Sequence, residues 1–306
     1  MTDFHFHQFA DLPALLSQKK QPVTVCIPTL NEAETIGHIV STIHRELIQE
    51  IPLIDELLVI DSGSTDSTRK LAAAAGATVH LASDIAPESG FHRGKGENLW
   101  KSLHVSTGEI ICFIDGDIAN FHSGFVTGLI GPLLAHPEID YVKAYYERPL
   151  CQDDGTHTSG GGRVSEILVR PLLSLFYPEL APIYQPLSGE YAARRSLLET
   201  LPFPVGYGVE IAHLIDLLHI GHFPRLAQTD LVKRVHRNRH DAELGQMAFS
   251  LLQVIFRRLQ RDRKLTLASA LPTLFQSWDF EGQNPAFLQK NLPEPERAPL
   301  KTLVNA

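Results

Sequence analysis

Cysteine is scarce in this chain of 306 residues: Cys26, Cys112 and Cys151 are the three, and no two of them make a C-x-x-C pair. Cys26 and Cys112 lie inside apolar runs, so buried free thiols in a reducing cytoplasm are expected rather than a metal or redox group. Long hydrophobic runs are missing as well. No stretch reaches about 18 apolar residues, the length that would suggest a transmembrane helix. Met1-Thr-Asp-Phe-His-Phe-His7 has no basic region followed by an apolar run, so no secretory signal is expected and the location reads as cytoplasmic. Positive charge is in deficit: 27 Lys and Arg stand against 35 Asp and Glu, a net charge of −8. That balance argues against a protein whose main ligand is nucleic acid. No G-x-G-x-x-G follows the first expected strand, which disfavours NAD, and the Walker A pattern fails.

What is present is ordinary globular composition, 43% hydrophobic and 20% charged, in a chain long enough to bury a sizeable core. Apolar β-branched runs predict strands at 23–27, 57–60, 78–81 and 110–114. Helical spacing (Ile36, Ile39, Val40, Ile43, Leu47) predicts a helix over 32–47, and further helices are expected at 65–75 and 96–105. Strands apolar throughout, alternating with helices, indicate a parallel sheet covered on both faces. Past residue 120 the pattern changes to a half-buried strand at 140–147, a Gly/Ser/Thr/Asp-rich loop at 151–162, helices at 163–176, 208–220 and 241–264, and a strand at 226–235. The expected organisation is α/β, with a lead-in at 1–21 (a short helix and irregular chain), a nucleotide-binding Rossmann-like half at 22–120, a second half at 121–265, and a partly disordered extension at 266–306.

Chemistry collects where the expected strands end. The first ends Pro28-Thr-Leu-Asn-Glu32, the second Asp61-Ser-Gly-Ser-Thr-Asp66, the fourth Asp115-Gly-Asp117. Open α/β sheets bind ligands beyond the carboxyl ends of their strands, and gathered carboxylates repel unless a cation neutralises them. Two carboxylates around a glycine turn can hold Mg²⁺ or Mn²⁺ against phosphate oxygens. Thr65 and Asp66 also suit helix capping, whereas Asp61 and Ser62 suit hydrogen bonds to a base or ribose. Glu32 suits either a first-turn helix carboxylate or a ribose grip. Arg93-Gly-Lys95-Gly-Glu97 opens a helix, where glycines and the helix N-terminus favour an anion. Gly160-Gly-Gly-Arg163-Val-Ser165 is a second anion-binding candidate. The cluster Lys233-Arg-Val-His-Arg-Asn-Arg239 closes the inventory; basic clusters in an acidic chain suit a small anionic ligand.

Together with Val142-Lys-Ala-Tyr-Tyr-Glu-Arg-Pro149, Gln185-Pro-Leu-Ser-Gly-Glu-Tyr-Ala192 and Gly206-Tyr-Gly-Val-Glu210, these motifs resemble the glucosyl-3-phosphoglycerate synthases, retaining glycosyltransferases of the GT-A fold, from about residue 22 to about 262. The resemblance implies a GT-A fold with a mixed acceptor-binding and dimerising C-terminal part, and a homodimer. It implies transfer of glucose from UDP-glucose to the 2-hydroxyl of 3-phosphoglycerate, on the way to glucosylglycerate, a compatible solute. By the same resemblance Pro28, Thr29, Leu30, Glu32, Ser62, Lys95, Asp115, Gly116 and Tyr207 would bind the donor. Gly162, Arg163, Ser165 and Asn238 would hold the acceptor. Asp117 and His236 would bind Mg²⁺ or Mn²⁺, and Asp117, Glu210 and Arg239 would serve catalysis. Gly116, Ser165 and Ser188 stand where the family more often has Ser, Thr and Gly. Alternatives are a related transferase using GDP-glucose or GDP-mannose, one using unphosphorylated glycerate, and a non-catalytic nucleotide-binding protein. A sugar nucleotidyltransferase is a further one, although its basic glycine loop is replaced here by Pro28-Thr-Leu-Asn-Glu32.

Overall fold

Eight strands form one sheet: β1 (Thr2–His5), β2 (Val23–Thr29), β3 (Glu56–Asp61), β4 (Thr78–Leu81), β5 (Ile110–Phe113), β6 (Tyr141–Glu147), β7 (Tyr191–Arg194) and β8 (Leu226–Lys233), in the order β1-β8-β6-β7-β5-β2-β3-β4. The computed structural model describes residues 1–151, 157–159, 162–235, 241–279 and 285–304. All neighbours pair parallel except β7, which runs antiparallel to both β5 and β6. Successive side chains on a strand point to opposite faces, and the core divides accordingly. Cys26, Leu58, Ile60, Ile111 and Phe113 pack on one face with Leu99, Trp100 and Leu103 of the helix Lys95–Val105 and Leu214 of the helix Val209–His219. Val25, Ile27, Leu57, Val59, Ile110 and Cys112 pack on the other with Ile36, Ile39 and Val40 of the helix Ile36–Ile43 and Leu129 and Ile130 of the helix Gly124–Ala135. Burial on both faces is why these strands read as unbroken apolar runs.

Four features differ from the sequence reading. Thr2–His5 in the lead-in is a strand, paired with Ala227–Asp230. The helix Gly124–Ala135 carries three glycines and Pro132, a composition that hides it. The glycines are there for fit, since a Cβ on Gly131 would lie 2.3 Å from the Phe9 ring. Strand β7 reads Tyr-Ala-Ala-Arg, with no β-branched residue; it forms because it fills the gap between β5 and β6, where Tyr191 stacks on Tyr141. The extension expected to be partly disordered carries three short strands among its described residues. Leu274–Asp279 and Ala286–Asn291 form a hairpin, and Glu296–Arg297 pairs with Phe203–Pro204.

Strand β5 sits mid-sheet, and its Ile111 is fully buried. Ile111→Ala should cost about 2–5 kcal/mol in equilibrium denaturant unfolding, the transfer and cavity penalty of a core truncation.

Candidate active site

Strands β2, β3, β5, β6 and β8 share one direction, so their carboxyl ends meet at one edge of the sheet. A cavity of about 530 Å³ opens there. From β2 and its turn come Pro28, Thr29, Leu30 and Glu32; Ser62 follows β3, and Asp115, Gly116 and Asp117 follow β5. Lys95, Tyr207 and Glu210 line a second side, and Gly162, Arg163 and Ser165 line a third. Every described residue that the family resemblance assigns to the site therefore borders the same cavity. His236, Asn238 and Arg239 lie outside the described residues.

The inner wall is a chain of alternating charges. Lys95 Nζ lies 2.5 Å from Asp115 Oδ1 and 2.9 Å from Glu210 Oε1. Arg234 Nη2 lies 3.0 Å from Asp115 Oδ2 and 2.5 Å from Asp117 Oδ1, and its Nε is 3.1 Å from Glu190 Oε1. Tyr146 donates its hydroxyl to Glu190, and Arg148 donates to the Tyr146 oxygen at 2.9 Å. Burial disfavours charge on Lys95, but Asp115 and Glu210 overcome it and hold the ammonium above its ordinary range. Burial likewise works against the Asp115 carboxylate, yet Lys95 and Arg234 hold its pKa below the usual carboxylate range. At Glu190 burial wins over the nearby Arg234, and its pKa is raised. The two aspartates differ in spare capacity. Asp115 is shared between two cations, whereas among the described residues Asp117 is bonded to Arg234 alone and its side chain is 27% exposed. A pair of carboxylates that already share one cationic centre is a donor set of hard oxygens, which fits Mg²⁺ or Mn²⁺.

Residues 24–202 match the family model described as Glycosyl transferase family 2. A glucosyl-3-phosphoglycerate synthase of Petrotoga mobilis is 50% identical over 271 residues, 88% of this chain and 83% of its own. One of Mycobacterium tuberculosis (strain H37Rv) is 46% identical over 239 residues, 77% of this chain and 73% of its own. This chain belongs to glycosyl transferase family 2 and, within it, to the glucosyl-3-phosphoglycerate synthases. The crystal structure of the Mycobacterium tuberculosis synthase in complex with Mn²⁺, UDP and phosphoglyceric acid superposes with TM-score 0.83 at 37% identity, covering 96% of this chain and 95% of that one. A mannosyl-3-phosphoglycerate synthase from Rubrobacter xylanophilus superposes with TM-score 0.89 at 33% identity, covering 99% and 97%.

Against that family background, two sequence expectations need correction. Asp61 does not border the cavity; it closes its own turn, accepting from Thr29, from the Gly63 and Ser64 amides, and from the Ser64 hydroxyl. Nor does the helix start at Lys95 offer its amides to an anion. The Gly96 and Glu97 N–H groups donate to the Gly206 and Val205 carbonyls at 3.2 and 3.0 Å. The glycines serve that contact: a Cβ on Gly94 or Gly96 would lie 2.3 Å from the Val205 oxygen or 1.8 Å from the Pro204 oxygen. From this segment Arg93, Gly94, Lys95 and Asn98 border the cavity.

Three charged residues at or behind the cavity escaped the sequence reading; Arg234 lines it, and Glu190 and Lys143 are fully buried. Arg234 sits inside a basic cluster whose signal was visible, but nothing in the spacing separated it from its neighbours. Glu190 enters from just before β7, a strand that was not expected. Lys143 on β6 is fully buried and donates to the Ser188 carbonyl at 2.8 Å. Burial pushes its pKa from 10.5 down to about 8, opposed in part by Glu210. Because the folded value is the lower one, Lys143 favours the fold most above pH 10.5 and loses that advantage as pH falls through 8. Between pH 8 and 10.5 wild type should therefore gain on Lys143→Met by on the order of 3 kcal/mol, at about 1.4 kcal/mol per unit. Denaturant unfolding at the two pH values measures it, and a gap that does not change with pH contradicts the assignment.

Proposed function

We propose that the chain transfers glucose, with retention of configuration, from UDP-glucose to the 2-hydroxyl of 3-phosphoglycerate and releases UDP. The carrying observation is that a single cavity joins the paired-charge wall of Lys95, Asp115, Arg234 and Asp117 to the Gly162, Arg163 and Ser165 wall. In this reading Pro28, Thr29, Leu30, Glu32, Ser62 and Asp115 hold the uridine end of the donor, with Gly116 admitting close approach. Tyr207 and Glu210 border the glucose. Arg163 and Ser165 take the acceptor phosphate and carboxylate, an arrangement suited to a forked guanidinium and a hydroxyl, with Asn238 assigned to the same task and Arg239 to the phosphates. Asp117 and His236 would hold Mg²⁺ or Mn²⁺, which supplies charge neutralisation to the departing diphosphate when bound.

The chain's own residues support a same-face transfer. Asp115 and Glu210 are bound to Lys95, and Glu190 faces Arg234. A carboxylate locked to a cation is a poor covalent nucleophile, so the acceptor hydroxyl attacks from the side that the diphosphate leaves, and the leaving oxygen takes its proton. Lys95 and Arg234 are preorganised cations where that charge develops, a form of stabilisation that needs no reorganisation during the reaction. The proposal includes a cytoplasmic enzyme, consistent with free, buried Cys26 and Cys112. No helix among the described residues is long and apolar enough to cross a membrane. It also includes a homodimer, for which the exposed Trp278 and Phe287 of the C-terminal hairpin offer an apolar surface.

One observation favours a second reading: the fold also superposes closely on a mannosyl-3-phosphoglycerate synthase. A donor-by-acceptor matrix separates the two, with products identified by NMR. The expected product is α-linked glucosyl-3-phosphoglycerate from UDP-glucose; a β-linked product would refute retention, and preference for GDP-mannose would favour the second reading. In the same assay Asp117→Ala should lower kcat by about 100-fold or more. Arg163→Ala should act chiefly by raising the KM for 3-phosphoglycerate. Normal transfer by both variants would overturn the site assignment.

A further inference from the structure

The far end of the chain walls the cavity as well. Leu292, Pro293 and Glu294 border it beside Tyr207. This strap is tied to the layer beneath it. The Glu294 carboxylate accepts the Gly206 N–H at 2.6 Å, and the Pro295 carbonyl accepts the Val205 N–H at 3.0 Å. That layer in turn caps the helix that begins at Lys95, through the Gly206 and Val205 carbonyls.

Arg297 reaches the same helix directly. Its guanidinium bonds both oxygens of Glu97 at 2.7 Å. It also donates to the Ser89 carbonyl at 2.6 Å and the Gly90 carbonyl at 3.1 Å, and lies 4.8 Å over the Trp100 ring. Glu97 is fully buried and accepts the His92 N–H at 3.2 Å. One arginine thus satisfies the buried carboxylate two residues beyond Lys95 and ties down the loop that leads into it. A forked, buried pair of this kind is geometrically exacting, and removing the arginine leaves an uncompensated charge.

We propose that Arg297 is a positioning residue for donor binding: the strap 292–297 keeps the Lys95 helix in register, so that the ammonium between Asp115 and Glu210 meets the donor diphosphate. The inference rests on the donor reading above. The strap's bonds to the Lys95 helix and to 203–206 make the donor, rather than the acceptor, the ligand whose binding it governs. Displacement by about 1 Å of a group that meets a ligand is enough to cost a large factor in rate.

The test measures UDP affinity by calorimetry, with Mg²⁺ present, and the KM of each substrate, for wild type, Arg297→Met, Arg297→Lys and Glu97→Gln. Arg297→Met should weaken UDP binding and raise the donor KM roughly tenfold, with the acceptor KM within about twofold of wild type. Arg297→Lys keeps the charge without the fork and should fall between the two. Should Arg297→Met not fold, Arg297→Lys and Glu97→Gln are judged by the same split between donor and acceptor. Unchanged UDP affinity in the folded variants, or equal losses for donor and acceptor, overturns the proposal. If wild type itself does not bind UDP, the donor reading fails first.

Discussion

At the end of β5, one carboxylate is shared between two cations that arrive from opposite directions. Asp115 meets Lys95, from a helix start, and Arg234, from just beyond β8. Each cation then passes to a further acid, Glu210 on one side and Asp117 and Glu190 on the other. Burying these groups singly would cost several kcal/mol apiece; burying them as an alternating chain offsets much of that penalty. The arrangement admits little variation. A Cβ on Gly189 would fall 2.2 Å from Asp115 and 2.3 Å from Lys95 Nζ, so the backbone itself is pressed against the pair.

Sheet topology supplies the members of that chain. A single antiparallel strand, β7, lies between β5 and β6. The start of an antiparallel strand lies at the same edge as the ends of its parallel neighbours, which brings Gly189 against Asp115 and Lys95 and Glu190 against Arg234. At β8 the register with β6 shifts between Asp230 and Lys233, and Val232 adopts φ 67°. A β-branched residue there is strained, and the bulge it marks is of the kind that re-aims a chain at the rim of a site; Arg234 follows directly. The turn before β7 is bonded to β6 from behind, by Lys143 to the Ser188 carbonyl and by the Ser188 hydroxyl to the Ala144 carbonyl at 2.6 Å. Ser188 thus has local partners on both its carbonyl and its hydroxyl.

Much of this was legible before any coordinates. The four apolar strands of the first half and their helices follow from periodicity, because burial on both faces demands unbroken apolar runs. The strand-end motifs follow from the rule that parallel sheets bind ligands at their carboxyl edge, and Thr29, Glu32, Ser62, Asp115 and Asp117 among their members border one cavity. Other features left no local trace. Thr2–His5 becomes a strand only because β8 offers it a free edge. The helix Gly124–Ala135 has poor helix composition because the N-terminal Phe6 and Phe9 need room against it. Glycines in Arg93-Gly-Lys95-Gly-Glu97 resembled a phosphate loop, yet they accommodate a neighbouring backbone.

By itself, the sequence determined the α/β class and the edge of the sheet that carries the cavity, because periodicity and turn chemistry are local properties of the chain. Tertiary structure decided which charges pair. Asp115 and Arg234 are 119 residues apart, and Glu97 and Arg297 are 200 apart. Pairings at that separation depend on strand order and on the close approach of backbones, which no local pattern encodes. The carboxylate pair Asp115-Gly-Asp117 is read from three residues of sequence; the cations that it pairs with are supplied by the fold.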